Sequence, residues 1–339
     1  MPLYLYLIRR ILFSIPLLFG ITLVAFLIAN AVPADPVSAN LSQQAMSNPE
    51  IVAAFRAEWG LDKPLTEQYF TYVGNLLQGN LGRSIKTRRA VADDIRQFLP
   101  ATIELATVSM FMGVPVGIVW GVLSAVWRNR FVDYFLRGIS LIGVSVPIFV
   151  LALLGLTVLH SRLGWVAGPG RLDLAMRDPP PFSGFFTIDS LVAGQWDTLG
   201  NAVAHLILPS LVLGSYTAGI ITRITRSSML EVLDTEYMRT ARSKGLRERT
   251  VIWRHGLSNA FIPVVTVIGS SYGNLLAGAV LTESIFAWPG IGRYMFRAAT
   301  SQDFPAIMGV SMLIAVIYLV VNFIVDILYY FLDPRIRVA

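Results

Sequence analysis

Six stretches of this 339-residue chain contain no Asp, Glu, Lys or Arg: Ile11–Ala31, Leu105–Val126, Gly138–Leu159, Leu206–Thr222, Phe261–Thr282 and Ala306–Val325. A helix needs roughly 20 mostly apolar residues to cross the hydrocarbon of a bilayer. Five of the stretches reach that length, and the shorter fourth is followed by Arg223, whose stem lets its charge snorkel to the interface. The pattern predicts an all-α integral membrane protein with six transmembrane helices. A composition of 55% hydrophobic and only 14% charged residues agrees, since soluble domains run near a quarter charged.

The charges between these stretches predict the topology. Arg9 and Arg10 precede the first, Arg128 and Arg130 follow the second, and Arg335 and Arg337 close the chain. The loop after the fourth holds Arg223, Arg226, Arg239, Arg242, Lys244, Arg247, Arg249 and Arg254. Basic residues collect on the cytoplasmic side, so both termini are expected inside. The net charge of +6 is then an orientation signal and not a nucleic-acid footprint. Ala29-Asn30-Ala31 imitates a signal-peptidase site, but the preceding apolar run exceeds the usual 7–15 residues, so an anchored helix is expected.

The resulting organisation is a first span over 1–31, an extracytoplasmic subdomain over 32–99, a core over 100–332 and a cytoplasmic tail over 333–339. Core spans are placed at about 101–126, 135–159, 204–223, 260–282 and 306–331, with an outer loop over 160–203 and an inner loop over 224–258. Segment 32–99 carries seven cations yet lies outside; segments of that length translocate largely regardless of charge. It is expected to be helical around Pro49–Trp59 and Thr66–Leu77.

Several chemistries are excluded. With no cysteine there are no Fe–S or zinc-thiolate centres and no disulfides, and the three histidines are far apart. The chain has no GxxxxGK[ST] loop for ATP and no GxSxG or SxxK nucleophile. Its spans lack the acidic and histidine chain of a proton-coupled carrier. Asp326, near the end of the sixth span, is assigned a structural pairing with Arg335 or Arg337; Glu104 and Glu283 are placed at the outer interface. Gly113, Gly117 and Gly121, like Gly269 and Gly273, read as close helix packing, and Pro115, Pro147 and Pro263 as kinks or helix starts. A membrane conduit without its own energy source remains.

Two short helical patterns in the inner loop flank Gly245, where a left-handed turn is expected. The strings around it, Glu236–Leu246 (EYMRTARSKGL) and His255–Val265 (HGLSNAFIPVV), resemble the cytoplasmic loop of ABC importer permeases. The general E-A-A-x-x-x-G signature of that family is met at Ala241 and Gly245 alone, with Arg239 and Thr240 at its first two places and Ser258 where proline is usual. Both departures are similar to the dipeptide/oligopeptide/nickel branch. Further strings in order resemble that branch, among them Pro33-Ala34-Asp35-Pro36, Gly79–Ser84, Pro100–Ala106, Leu281–Arg293 and Asp333–Arg337. The long outer loop is most like that of B-type dipeptide permease subunits.

The resemblance implies a type I importer permease fold and a non-catalytic role in the bacterial inner membrane. It implies a C-type second permease, two cytoplasmic ATPases that bind ATP and Mg, and an extracytoplasmic binding protein; no cofactor belongs to this chain. The coupling residues it implies are Glu236, Tyr237, Arg239, Thr240, Ala241, Arg242, Lys244, Gly245 and Leu246. Arg88, Trp288, Pro289, Gly290 and Arg293 are the candidates for binding-protein contact or an outer gate. Dipeptides or short oligopeptides are the expected cargo, with a nickel chelate, glutathione, an opine or haem as alternatives within the family, and a secondary transporter as the alternative outside it.

Overall fold

The computed structural model describes residues 3–31 and 36–332; these are mostly helical, with one isolated β-bridge between Arg83 and Ala90. In chain order the helices are α1 (Leu3–Ala31), α2 (Pro36–Asn40), α3 (Gln43–Met46), α4 (Pro49–Glu58), α5 (Leu65–Leu77), α6 (Val91–Val126), α7 (Phe131–Ser145) and α8 (Ile148–Gly155). They continue with α9 (Phe186–Val192), α10 (Trp196–Leu233), α11 (Glu236–Ser243), α12 (Glu248–Thr250), α13 (Ser258–Leu276), α14 (Val280–Ile285), α15 (Ile291–Thr300) and α16 (Phe304–Leu332). We call the end carrying α2–α5 outer and the end carrying α11 inner, following the expected topology.

Among the described residues, four helical segments are long and apolar enough to cross a membrane: Val91–Val126, Trp196–Leu233, Glu248–Leu276 and Phe304–Tyr329. In α1 the apolar stretch is Leu12–Ile28. The third expected span is a broken pair, α7 and the segment Ile148–Arg162 that α8 begins and a π-helical stretch (Leu156–Arg162) completes, bent by 99°. Pro147 causes the break: its ring disfavours helical backbone at the residue before it, and Val146 is extended (φ −80°, ψ 126°). The fifth helix ends at Leu276, short of Thr282, and the chain turns there into α14.

α6 and α10 form the most extensive helix pair, and the glycine ladder explains why. A Cβ on Gly113 would lie 2.6 Å from the Gly214 carbonyl oxygen, on Gly117 2.7 Å from the Ile221 Cβ, and on Gly121 2.5 Å from the Thr225 Cβ. In lipid, where no hydrophobic drive brings helices together, such backbone approach supplies the van der Waals contact. α7 packs on the same helix, while α1 and α13 both pack along α16. Phe26 of α1, Tyr69 of α5 and Met308 of α16 form a buried cluster that seats the outer subdomain on the bundle.

Asp326 pairs with Arg10 of α1 at 2.8 Å, which joins the first and last helices. Arg335 and Arg337, the partners expected from sequence, lie outside the described residues, as do Pro33–Asp35 and the tail from 333.

Candidate coupling element and outer seal

The inner element is built on a helix–turn–helix. α11 is amphipathic: Met238 and Ala241 are buried and join Val251, Val232 and Leu233 in one apolar cluster. That cluster holds the element against the lower end of α10. The remaining residues expected for coupling, Glu236, Tyr237, Arg239, Thr240, Arg242, Lys244, Gly245 and Leu246, are all exposed. Ala241 is thus the member of the set that anchors, and the other eight form a free face.

Gly245 closes α11 with a left-handed residue, φ +74°. Its N–H donates to the Arg242 carbonyl at 2.9 Å and the Leu246 N–H donates to the Ala241 carbonyl at 3.4 Å. This pair of bonds is the Schellman closure, which satisfies the last carbonyls of a helix while reversing the chain. No atom lies within 4 Å of a Cβ built on Gly245, so the need for glycine there is conformational and not steric. Arg239 pairs with Glu236 at 2.7 Å and Arg242 with Glu248 at 2.8 Å, all well exposed. Such pairs contribute little to stability and leave the charges at the surface. Beyond α12 the chain makes a π-helical turn, Val251–Leu257, before α13.

Above this element sits a link that sequence reasoning missed. Asp133, at the start of α7, is buried and accepts two hydrogen bonds of 2.8 Å from Arg226 of α10, one from the Asn129 N–H at 3.0 Å and one from the Ser124 hydroxyl. Asp133 follows Arg128 and Arg130, whose charges masked it in the topology count.

At the outer end the structure buries polar groups that the sequence placed at an interface. Glu104 of α6 is 4% exposed and pairs with Arg171 of the outer loop at 2.6 Å. Glu104 also accepts from the Thr187 N–H and hydroxyl at 2.9 and 2.6 Å. The Arg171 guanidinium stacks 3.6 Å from the Phe186 ring centroid, and burial pulls its pKa below the usual arginine value against the opposing pull of Glu104. Glu283 is fully buried in α14, accepting from the Thr102 hydroxyl at 2.7 Å and the Arg293 N–H at 2.8 Å. Burial pushes its carboxyl pKa up. A Cβ on Gly290 would lie 2.4 Å from Glu283 Oε1, so the turn fits only without a side chain.

Of the outer candidates, Trp288 is 1% exposed and donates from Nε1 to the Ala101 carbonyl at 2.8 Å. Gly290 is likewise buried, and Pro289 and Arg293 are half-buried, so this turn is packed into the protein. Arg88 stands apart from it on the subdomain surface, with φ +58°, 3.2 Å from Glu58 and over the Trp59 ring. The interfacial placement of Glu104 and Glu283 failed because their partners, Arg171 and Thr102, are distant in sequence.

The helices form an apolar bundle with an exposed amphipathic helix at one end and a buried turn at the other, and sequence comparison gives its family. Residues 113–338 match the family described as binding-protein-dependent transport system inner membrane component, and residues 3–106 match that family's N-terminal membrane component. The chain belongs to this family. It is 44% identical to the di/tripeptide transport system permease protein DppB of Pseudomonas aeruginosa over 97% of each chain. It is 42% identical to the dipeptide transport system permease protein DppB of Alkalihalophilus pseudofirmus, covering 98% of this chain and 99% of that one. Among solved structures the MetNI methionine ABC transporter in an inward-facing conformation shares the fold, with a TM-score of 0.50 and 16% identity over 70% of this chain and 96% of that chain.

Proposed function

We propose that this chain is one of the two membrane subunits of an ATP-driven importer that passes dipeptides or short peptides from an extracytoplasmic binding protein to the cytoplasm. Relatives named for dipeptide and di/tripeptide transport, aligned over nearly the whole chain, support that cargo. Six spans with both termini cytoplasmic fit the basic loops, α7 and α8 together serving as the bent third span.

The observation that carries the mechanism is the Schellman-closed α11, anchored by Met238 and Ala241 and exposing Tyr237, Arg239, Arg242, Lys244 and Leu246. A short rigid helix fixed to α10 is suited to sit in a cleft of an ATPase subunit and convert closure of the ATPases into movement of α10. ATP and Mg belong to those partners, and no bond is made or broken by this chain. The outer turn Trp288–Gly290, with Arg293, acts as a gate beneath the Arg171–Glu104 seal, and Arg88 meets the binding protein.

Affinity purification of the tagged chain from its native membrane tests this reading. A second permease and two ATPases should co-purify, with a binding protein whose released ligand is a peptide. Recovery of a stable assembly without an ATPase would refute it.

A further inference from the structure

The two helices α13 and α16 differ in what they present outward. On α16 the exposed apolar residues Val316, Val320, Ile324 and Leu328 recur every four positions, a stripe suited to lipid. Between Asn259 and Asn274 the exposed residues of α13 are Asn259, Pro263, Thr266, Ser270 and Asn274. Spaced by three or four, they form one face of the helix. This face carries no large apolar side chain and no charge. It runs for about 22 Å at 1.5 Å per residue, most of the ~30 Å hydrocarbon thickness.

Two phenols of α16 turn their hydroxyls to the margin of this face: Tyr318 bonds Asn274 and Tyr329 bonds Thr266. On the α6 side, Tyr272 bonds Thr107 at 2.9 Å. Exposed hydrogen-bonding groups at membrane depth are stable where they line water or a polar surface and not lipid.

Resting on the import reading above, we propose that this face of α13 lines the solute path and that its ligand is the peptide main chain. A hydroxyl and a carboxamide can each donate and accept, and every peptide unit offers one donor and one acceptor whatever its side chains. A wall of uncharged groups therefore meets all dipeptides alike. With no fixed charge to trap a terminus, it holds cargo weakly enough to release it, as conduction through successive sites requires.

The chain contains no cysteine, so Thr266→Cys, Ser270→Cys and Asn274→Cys each carry its single thiol. The experiment uses the whole complex in liposomes, with Val320→Cys and Ile324→Cys as controls. ATP-driven uptake by the wild type and by each unlabelled variant is measured first; its absence in the wild type would count against peptide import itself, whatever the labelling pattern. A cationic water-soluble methanethiosulfonate is then applied. The three α13 positions should label several-fold faster than the α16 controls, the label should abolish uptake, and dialanine and a bulkier dipeptide should slow labelling equally. Labelling as slow as the controls would overturn the proposal in favour of lipid. Labelling of the isolated chain but not of the complex would overturn it in favour of a permease–permease contact.

Discussion

Arg226 grips Asp133 through two parallel hydrogen bonds of 2.8 Å, Nε to Oδ1 and Nη2 to Oδ2, and so ties α7 to the helix that leads directly into α11. Removing Arg226 leaves the buried Asp133 carboxylate without its charge partner, which is destabilising. Arg226→Ala should lower the thermal stability of the purified complex markedly. Arg223→Ala, on the same helix with an exposed side chain, should leave it near wild type. Equal melting of the two variants would show that the Arg226–Asp133 link does not hold α7 to α10.

Gly245 separates two explanations of the inner element. With open space around it and φ +74°, only backbone strain opposes a side chain, and that strain is on the order of 1–3 kcal/mol. Asparagine tolerates this region whereas β-branched residues do not. Gly245→Asn should therefore retain transport. Gly245→Val should insert and pair normally but lose ATPase attachment and substrate-stimulated hydrolysis. Wild-type hydrolysis in the valine variant, at matched expression, would contradict a coupling role.

The architecture was legible where a local rule sufficed. Charge-free runs pointed to apolar helices, the i, i+4 glycines to close helix packing without naming the partner α10, and the lone glycine between two helical patterns to the left-handed turn. What stayed hidden depended on partners far apart in the chain. Glu104 finds Arg171 67 residues on, and Glu283 finds Thr102 181 residues back, so both looked like interfacial acids. Trp288, a candidate for binding-protein contact or an outer gate, has its indole buried on α6. The bend at Pro147 was foreseeable as a kink; its size of 99° was not, and α8 beyond it packs against α10 and α14.

Packing at the glycine ladder gives a steric prediction. A side chain at Gly113 meets backbone, the Gly214 carbonyl oxygen at 2.6 Å, which has no room to yield. Gly113→Val should abolish accumulation of the protein in membranes. Gly138→Ala, with nothing within 4 Å, should accumulate normally. Immunoblots of membrane fractions distinguish them, and normal levels of Gly113→Val would refute the close packing of α6 on α10.

The outer loop carries a pH signature. Burial alone would raise the Asp189 pKa, but the Ser183 hydroxyl and the N–H groups of Ser183, Gly184 and Phe182 outweigh it and hold the carboxyl below its ordinary value. A depressed native pKa contributes stability above the unfolded value, lost only as pH falls through the native one. Exchange protection of the Ser183 and Gly184 amides should stay level down to about pH 5 and fall only below the ordinary aspartate value of about 3.9. Asp189→Asn should reduce that protection at neutral pH; unchanged protection would contradict the assignment.

Reconstitution separates ATP-driven peptide import from every alternative. Proteoliposomes containing this chain, its second permease and the two ATPases, with ATP inside the compartment that holds the ATPases, are given the binding protein and a radiolabelled dipeptide on the opposite face. Peptide should accumulate on the ATPase side only when both ATP and the binding protein are present, and should not accumulate with Gly245→Val. Accumulation driven by an ion gradient without ATP, or undiminished in that variant, would contradict ATP-driven import coupled through α11.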